Sequence, residues 1–406
     1  MRIGIDASNL RAGGGRNHLI ELLWAARPEK YGITKVVVWA GREMLAQLPA
    51  RPWLERAHEP MLDRALPVRI YWQTVRLARL ARRRCDCLWI PGGSYSGSFK
   101  PFIAMSQNLA PFESAEMWRY RASWLFIKLI LLKWSHTRSF RNAEKVIFLT
   151  EYARSVIGQA ARLGESGGQQ PIIPYGLSRR FDLPPRTQKP LSNYSPQEPF
   201  RFLYVSKIEP YKHQWHVVEA MARLRQAGVP VTLDLIGGPE CPRSARRLIE
   251  AIELVDPRRT FIRYLDHVPH SELTAFYHNS DGFIFASSCE SMPNILLEAM
   301  AAGLPIACSD RGPMPEVLGE AGVYFDPERP EEIAAALRSL LGDLSLRERC
   351  AALAYERAQQ YSWERCARET FSALAEATQI ALEKKNYPAL TQAAMQNHKG
   401  EERVRK

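Results

Sequence analysis

Cysteine motifs are absent from this sequence of 406 residues. Its seven cysteines include no Cys-x-x-Cys pair, and only Cys85 and Cys87 lie close together. Disulfide-built domains and structural zinc sites depend on such regular spacings. The pattern argues against both and favours a protein of the reducing cytosol.

Long hydrophobic runs are also missing. The longest apolar stretch, Trp124 to Leu132, is interrupted by Lys128 and is far shorter than the ~20 residues that a membrane-spanning helix needs. The wider segment 118–134 is apolar on nearly all sides, so we expect it to be mostly buried. Because residues 2–6 already have the pattern of a strand, we expect no signal peptide before the fold.

Positive charge is abundant and unevenly distributed. The net charge is +12, and residues 67–145 hold 14 Lys and Arg against four Asp and Glu. This excess predicts an acidic partner: a membrane surface, a phosphorylated acceptor or nucleic acid. In the helical segment 70–84, Arg76, Arg79 and Arg83 share one face with Trp72 beside them, as on helices that lie against anionic lipid. A solvated basic face is the alternative.

Short β-branched runs alternate with helical patterns along the whole chain, which indicates an α/β fold with parallel sheets. Six strands are predicted in each half, and the polar, proline-bearing stretch 183–199 reads as a linker between two domains. A capping box at Ser345–Glu348 and a helix after Ser362 follow the second set. The predicted strands are 2–6, 35–40, 87–91, 102–106, 145–150, 172–174, 202–206, 231–236, 260–263, 282–286, 305–308 and 322–325.

Two glutamates bracket the most informative loop, between the buried strand 282–286 and a helix that we expect to start at Pro293. Glu290 falls on the loop and Glu298 more than a turn inside the helix. The free N–H groups of a helix N-terminus attract phosphate. Two carboxylates that can bind sugar hydroxyls, on either side of such a cradle, predict a nucleotide-sugar site. The alternative is a capping Glu290 and a solvated Glu298.

Other strand-to-helix loops carry residues suited to the same ligand. The glycine run 13–15 allows close backbone approach to a phosphate or sugar, and Gly237 and Gly238 repeat this after a later strand. Lys207 and Lys212 are placed to neutralise a diphosphate leaving group, although solvated lysines are the alternative. The chain has no Asp-x-Asp pair to hold a divalent cation, so we expect no metal and no cofactor. His18 is expected on the helix that faces the cleft, although a lone histidine is more often structural.

With these motifs, the chain resembles a retaining glycosyltransferase of the GT-B fold in glycosyltransferase family four (glycosyl transferases group 1), most specifically over residues 201–326. The resemblance implies that Glu298 holds the ribose, Glu290 holds a hydroxyl of the transferred sugar, and Lys207 and Lys212 contact the diphosphate. Family members usually have Arg where Lys207 stands, and the exchange loses bidentate geometry but keeps the charge. The remaining donor contacts it implies are Gly14, Gly15, the base-lining stretch around Val268, and the residues Ser291, Met292, Pro293, Asn294 and Ile295. In this last segment the free backbone N–H groups around Met292–Ile295 would cap the distal phosphate.

The same resemblance implies the domain division. Residues 1–185 would form an acceptor- and membrane-facing Rossmann-like domain, 186–199 a linker, and 200–361 the nucleotide-sugar-binding domain. A helix over 362–385 would cross back to the first domain, and the tail 386–406 is expected to be flexible.

One position departs from the family pattern. Many members have His-Asp where this chain has Gln107-Asn108, which would contact the acceptor or the donor sugar together with His18. A glutamine can form hydrogen bonds but cannot transfer a proton. This fits a reaction in which the leaving phosphate and the acceptor hydroxyl meet on one face of the sugar, and it leaves the general base unassigned.

The sequence thus predicts a cytosolic, metal-independent hexosyltransferase, which acts with retention on a lipid-linked or growing cell-surface glycan of the polysaccharide or O-antigen type. It would associate peripherally with the inner face of the membrane. A GT-B epimerase or phosphorylase is the alternative among enzymes. From a different class, the basic first half could bind nucleic acid, although it contains no recognisable reader module.

Overall fold

The computed structural model describes residues 1–11, 13–163, 170–269 and 271–404, with side chains up to Lys384. It contains two six-stranded sheets, and every strand runs parallel to its neighbours. The first sheet consists of β1 (Arg2–Asp6), β2 (Lys35–Ala40), β3 (Leu54–His58), β4 (Cys87–Ile90), β5 (Phe102–Met105) and β6 (Lys145–Ile147). The second consists of β7 (Phe200–Val205), β8 (Val231–Ile236), β9 (Ile262–Leu265), β10 (Gly282–Phe285), β11 (Ile306–Ser309) and β12 (Gly322–Phe325).

Helices cover the sheets. Those of the first half are α1 (Gly14–Ala25), α2 (Arg42–Leu45), α3 (Leu66–Tyr71), α4 (Leu77–Arg84), α5 (Ser114–Trp118), α6 (Trp124–Asn142) and α7 (Glu151–Ala161). Those of the second half are α8 (Gln214–Gln226), α9 (Pro242–Val255), α10 (Leu273–Asn279), α11 (Asn294–Ala301), α12 (Met314–Leu318), α13 (Pro330–Gly342), α14 (Leu344–Ala358) and α15 (Trp363–Val404).

The two sheets share one topology. The strand orders are β3-β2-β1-β4-β5-β6 and β12-β11-β10-β7-β8-β9, so in each half the first and fourth strands are neighbours at the centre. From the first strand the chain adds strands toward one edge of the sheet, and from the fourth strand it adds them toward the other edge. Ligands of such sheets bind at this switch point, beyond the carboxyl ends of the strands. The predicted fold class of two doubly wound domains is confirmed.

The strand predictions failed at the edge of the first sheet. Its third strand is β3, whose mixed sequence Leu-Glu-Arg-Ala-His is half-exposed and lacks the apolar run of a buried strand. The segment 172–174, predicted as a strand, forms only one bridge, between Ile172 and Phe148. Prolines at 171 and 174 remove the N–H donors that a longer ladder would need.

Two predicted helix starts are displaced. Asp343, not Ser345, caps α14, because its carboxylate accepts the N–H of Leu346 at 2.9 Å. Pro293 is the residue before α11 rather than its first residue. Helix α15 starts after Ser362 and returns to the first domain, where Glu376 pairs with Lys145 at 2.7 Å. It continues to Val404, past the end predicted at 385, and the predicted flexibility of the tail stays a prediction; residues 405 and 406 lie outside the described range.

Trp72 is fully buried, so its prediction as an interfacial aromatic is wrong. The chain forms a π-helical turn over Trp72–Arg76 between α3 and α4, and the wider turn shifts the faces expected for a regular α-helix. The indole Nε1 donates to Asp6 Oδ1 at 3.2 Å. Arg76, Arg79 and Arg83 remain exposed.

The prediction that residues 118–134 are mostly buried is also wrong. Helix α6 packs one face, with Leu129, His136 and Phe140, into the first domain. Trp124 is 71% exposed and Trp134 63% exposed on the other side. Within the described ranges, no helix is long and apolar enough to cross a membrane.

Candidate active site

A cleft of about 760 Å³ lies between the carboxyl ends of the two sheets and is lined by both domains. The shared topology explains the position of the cleft, because ligands of such sheets bind beyond the carboxyl ends of the central strand pair. The cleft brings together every predicted donor residue and one predicted acceptor contact. These are Gly14, Gly15, Gln107, Lys207, Lys212, Gly237, Gly238, Val268, Glu290, Ser291, Met292, Pro293, Asn294, Ile295 and Glu298.

Two helix N-termini face each other across the cleft. Helix α1 begins after Gly13, whose φ of 72° suits glycine, and α11 begins after Pro293. A Cβ added to Gly14 would stand 3.4 Å from Asn294 Nδ2, so the two ends are in close contact. Each end has unpaired N–H groups and a partial positive charge, and together they form a site for an anion between the domains.

Lys212 and Glu290 form a largely buried ion pair that lines the cleft. Lys212 ends the short 3₁₀ turn Pro210–Lys212, and Tyr204 fixes that turn by donating its hydroxyl to the Lys212 carbonyl at 2.6 Å. A buried charge requires such pairing. The pair therefore holds an ammonium and a carboxylate in fixed positions beside the helix N-termini.

Lys207 differs from Lys212 in its surroundings. Its side chain is largely exposed and pairs with the exposed carboxylate of Glu240. An exposed pair of this kind is screened by water and easily rearranged. Lys207 can thus turn toward an anion, whereas Lys212 is already in place.

Glu298 is buried and bonded, so the alternative of a solvated helix residue does not hold. Its side chain lies on α11, 7% of the residue is exposed, and its Oε2 accepts the hydroxyl of Tyr277 at 3.0 Å. Burial, together with the neighbouring carboxylate, raises the pKa of Tyr277 well above its usual value. The phenol therefore stays protonated and fixes the orientation of the carboxylate.

Gly237 occupies a position that admits no side chain. Its φ is +145°, and an added Cβ would be 2.1 Å from the carbonyl oxygen of Ser206. An added Cβ on Gly238 would be 3.2 Å from Asp266 Oδ1. The carboxyl end of β8 therefore presents bare backbone to the cleft.

Two buried polar atoms beside the N-terminus of α11, Ser291 Oγ and Asn294 Oδ1, lack a hydrogen-bond partner within the described part of the chain. Such atoms are costly unless a ligand or water satisfies them. Both stand at the N-terminus of α11, where an anion would also be held, so their position is consistent with a polar ligand there.

Two of the predicted acceptor contacts do not line the cleft. His18 is fully buried between Tyr175 and Trp363, with ring centroids 4.6 and 5.9 Å away, and burial lowers its pKa to about 3. Its Nδ1 lies 3.2 Å from Gln107 Nε2, so it can orient Gln107. Asn108 is exposed, and its Oδ1 accepts the N–H of Ala110 at 3.2 Å.

Some cleft residues escaped prediction. Asn17 and Glu21 line it from α1. Asn17 lies four residues after Gly13 and Glu21 four residues after Asn17, and this helical spacing could have identified them. Tyr211, Arg180 and Trp363 also line it. Arg180 and Trp363 come from segments that carry no motif of their own, and only the return of the chain places them there.

Ion pairs and caps join the two domains around the cleft. The carboxylate of Glu316 accepts the N–H groups of Glu151 and Tyr152 at 2.8 and 2.9 Å and so caps α7 of the opposite domain. Arg119 bonds Glu328 at 2.7 Å. The domains are thereby held in a fixed orientation on either side of the site.

Among the described side chains, no group of three or more His, Cys, Asp or Glu is arranged to hold a metal ion. The positively charged groups at the cleft are Lys207, Lys212, Arg180 and the two helix N-termini.

Residues 186–357 match the family model described as "Glycosyl transferases group 1". The family model thus covers most of the second domain and none of the first. The chain as a whole has the GT-B fold. Over 93% of its length it superposes on a glycosyltransferase from Rickettsia africae, with a TM-score of 0.64, 16% identity and 98% of that chain covered. Anabaena HepE, solved in complex with UDP and glucose, gives 0.64 at 16% identity over 92% of this chain and all of its own.

Sequence similarity to curated relatives such as the following two covers less than half of this chain and less than half of each relative. The O-antigen chain mannosyltransferase B of Escherichia coli is 38% identical over 116 residues, 29% of this chain and 30% of that protein. The D-inositol 3-phosphate glycosyltransferase of Corynebacterium efficiens is 32% identical over 182 residues, 43% of this chain and 42% of that protein.

Proposed function

We propose that this protein transfers a hexose from a nucleotide-diphosphate sugar, with retention of anomeric configuration, to a lipid-linked or growing cell-surface glycan. One observation carries the proposal: two helix N-termini, Lys207, Lys212 and two carboxylates converge on a single cleft between the domains. This combination of positive and carboxylate groups suits a diphosphate joined to two polyols. The UDP complex of HepE, which shares the fold, supports a nucleotide as the donor's leaving group.

The diphosphate would lie between α1 and α11. The N–H groups of both helices and the ammonium of Lys212 would stabilise the negative charge that develops as the sugar–phosphate bond breaks. Fixed donors aimed at a developing charge commonly supply the largest catalytic effect in an enzyme. Lys207, which is exposed, would swing in to contact the outer oxygens.

The two glutamates would fix the two ends of the donor. Glu298, oriented by Tyr277, would accept hydrogen bonds from the ribose hydroxyls. Glu290, held by Lys212, would accept one from the transferred sugar. The anomeric carbon would then lie beside the leaving phosphate, and the acceptor hydroxyl would approach on that same face, which gives retention.

We propose that no divalent metal takes part. Two lysines and two helix N-termini can together supply the positive charge that a metal would otherwise bring to the leaving group. For the same reason no further cofactor is assigned.

The acceptor is proposed to be lipid-linked and presented at an anionic membrane surface. The support is the charge of the first domain: residues 1–185 hold 28 Lys and Arg against 14 Asp and Glu. The similarity to an O-antigen chain mannosyltransferase points to the same class of acceptor.

A thermal-shift screen with UDP-, GDP- and dTDP-sugars tests the donor proposal, because a ligand that binds only the folded state raises the melting temperature. We expect one nucleotide series to stabilise the protein in a dose-dependent way. NMR of the product formed from that donor would then report the anomeric configuration. Stabilisation by none of the series would refute the donor assignment, and an inverted product would refute retention.

A further inference from the structure

Helix α6 presents a broad apolar face to solvent on the first domain. Its exposed residues follow helical spacing, since Trp124, Ile127, Leu131 and Trp134 are three or four positions apart. Ile130 extends the same face, and Trp118 lies just before the helix with 57% of its surface exposed. This set, Trp118, Trp124, Ile127, Ile130, Leu131 and Trp134, is called the α6 face below. Contiguous apolar surface of this kind marks an interaction site.

The opposite side of α6 explains why the face cannot turn inward. Leu129, His136 and Phe140 occupy positions separated by seven and four residues and are buried in the first domain. Phe140 stacks on Phe112 with ring centroids 6.3 Å apart. The helix is therefore fixed in rotation, and its outward face is a stable feature of the fold.

The charge around the α6 face is of one sign. Between Glu116 and Glu144 the chain has six Lys and Arg and no acidic residue. On a helical projection Lys128 and Lys133 fall on opposite margins of the face, and the guanidinium of Arg138 lies 5.9 Å from the Trp134 ring. Apolar side chains with tryptophans, bordered by basic residues, are typical of helices that lie in the interface of an anionic bilayer.

We infer that the α6 face docks this protein onto an anionic membrane surface, with α6 parallel to the bilayer plane. The choice of a membrane rests in part on the proposed function, which needs a lipid-linked acceptor. A second copy of the chain is a poorer occupant, because a two-fold interface would bring the same basic residues of both copies together. The α6 face thereby replaces the stripe of Arg76, Arg79 and Arg83 as the proposed membrane contact. Trp72, the aromatic residue predicted beside that stripe, is buried.

The position of α6 suits delivery of an acceptor to the cleft. Four residues before Trp124, the hydroxyl of Tyr120 donates to Glu209 of the second domain at 3.0 Å, and the next residue toward the N-terminus, Arg119, bonds Glu328. The segment that leads into α6 thus forms part of the contact between the domains. A membrane held against α6 would therefore lie beside the contact between the two domains.

Flotation of the full chain with vesicles tests the inference. We would compare vesicles of phosphatidylcholine with and without phosphatidylglycerol at low and physiological salt, using wild type and the triple variant Trp124→Ser/Leu131→Ser/Trp134→Ser. Because each of these side chains loses its apolar contribution to membrane burial, the triple variant should partition roughly a hundredfold less. The matched control, Arg76→Glu/Arg79→Glu/Arg83→Glu, should lose far less.

The outcomes separate this inference from the proposed function. Loss of vesicle binding in the serine variant, with unchanged stabilisation by nucleotide sugar, supports docking through α6. Failure of wild type to bind anionic vesicles at low salt overturns it, as does equal binding by the serine variant. Self-association of wild type in sedimentation experiments, abolished in the serine variant, would assign the face to a second copy instead. Donor binding does not depend on any of these results.

Discussion

The two domains have the same sheet topology but very different net charges. Residues 1–185 carry a net charge of +14, whereas residues 186–406 carry 27 Lys and Arg against 29 Asp and Glu. At the cleft, the second domain supplies Lys207, Lys212, Glu290 and Glu298, while the first supplies the N-terminus of α1, the glycine run and Gln107, with Glu21 and Arg180 as its charged side chains. A shared fold thus sets where a ligand can bind, while the loops at the sheet edge decide what binds.

The family match follows the same division. It covers residues 186–357 and stops short of the first domain. Under the proposed function the ligand of the second domain is a nucleotide sugar, which many transferases share, so its site can keep one pattern of residues. The first domain instead carries the features that would adapt to an acceptor and its setting, the basic charge and the α6 face.

The largest expected effect concerns the contrast between the two lysines. Lys212→Met should reduce turnover roughly 100- to 1,000-fold, because it removes a fixed positive charge from the leaving group. Lys207→Met should cost less than about tenfold, since Lys207 is exposed and pairs with Glu240. Steady-state kinetics of both variants would measure this.

Unfolding curves of both lysine variants provide the control. Lys212→Met leaves Glu290 buried without its partner, so the double variant with Glu290→Gln separates a loss of stability from a loss of catalysis. Equal losses of turnover at positions 207 and 212 would contradict the distinction drawn between them.

A smaller effect distinguishes the domains in donor binding. Glu298→Ala should weaken nucleotide-sugar binding about tenfold or more, because a hydrogen bond to a charged group contributes about 1.5–3 kcal/mol. Gln107→Ala, on the first domain's side of the same cleft, should leave donor affinity within a few-fold of wild type. Calorimetric titration of both variants would test this, and wild-type affinity in Glu298→Ala would remove the ribose assignment.

Lowering the pH should destabilise both domains before it reaches the range in which most carboxylates titrate. Burial lowers the pKa of His18 to about 3 and of His136 to about 4 in the first domain, and that of His213 to about 2 in the second. An unfolded histidine has a pKa of about 6.5. Their stabilising contribution is therefore complete above about pH 6.5 and is lost as the pH falls toward the folded values.

Denaturant unfolding at pH 7.5 and 5.5 measures this loss, which can reach about 1.4 kcal/mol per pH unit for each histidine. His18→Gln should show a smaller difference between the two pH values than wild type. Identical unfolding midpoints for wild type at both pH values would contradict the burial of neutral histidines.

The smallest expected effect is that of metal removal, which should leave the rate of transfer unchanged. Transfer should proceed in EDTA at the wild-type rate, because lysines and helix N-termini supply the positive charge at the leaving group. The matched experiment restores magnesium or manganese after chelation. Activity that disappears with EDTA and returns with metal would show that the leaving group is stabilised differently.

Much of the fold and the donor cleft could be predicted because the signals are local. Apolar runs bounded by glycine and proline marked eleven of the twelve strands to within three residues at either end, among them β1, β2, β8 and β12 without error. The loop from Glu290 to Glu298 was recognisable because a strand, a proline and a helix follow in a fixed order. Those residues line the cleft.

The failures at His18, Trp72 and α6 share one cause, which is that burial depends on distant residues. His18 lies on the helix that borders the cleft, yet Tyr175 and Trp363, far along the chain, enclose it. Trp72 turned inward because a π-helical turn shifted its face and Asp6 offered an acceptor. The apolar sequence of α6 does not indicate whether the outer face of this helix contacts protein or solvent.

The sequence by itself determined the alternation of strands and helices, the two-domain division, the excess of basic residues in the first half and the loops that carry Lys207, Lys212, Glu290 and Glu298. Those properties follow from short-range periodicity and composition. Only the tertiary structure decided that Lys212 is buried against Glu290 while Lys207 stays in solvent, and that α6 exposes its tryptophans. These outcomes depend on packing between segments that are far apart in the chain, and no local pattern encodes which side of a segment another will cover.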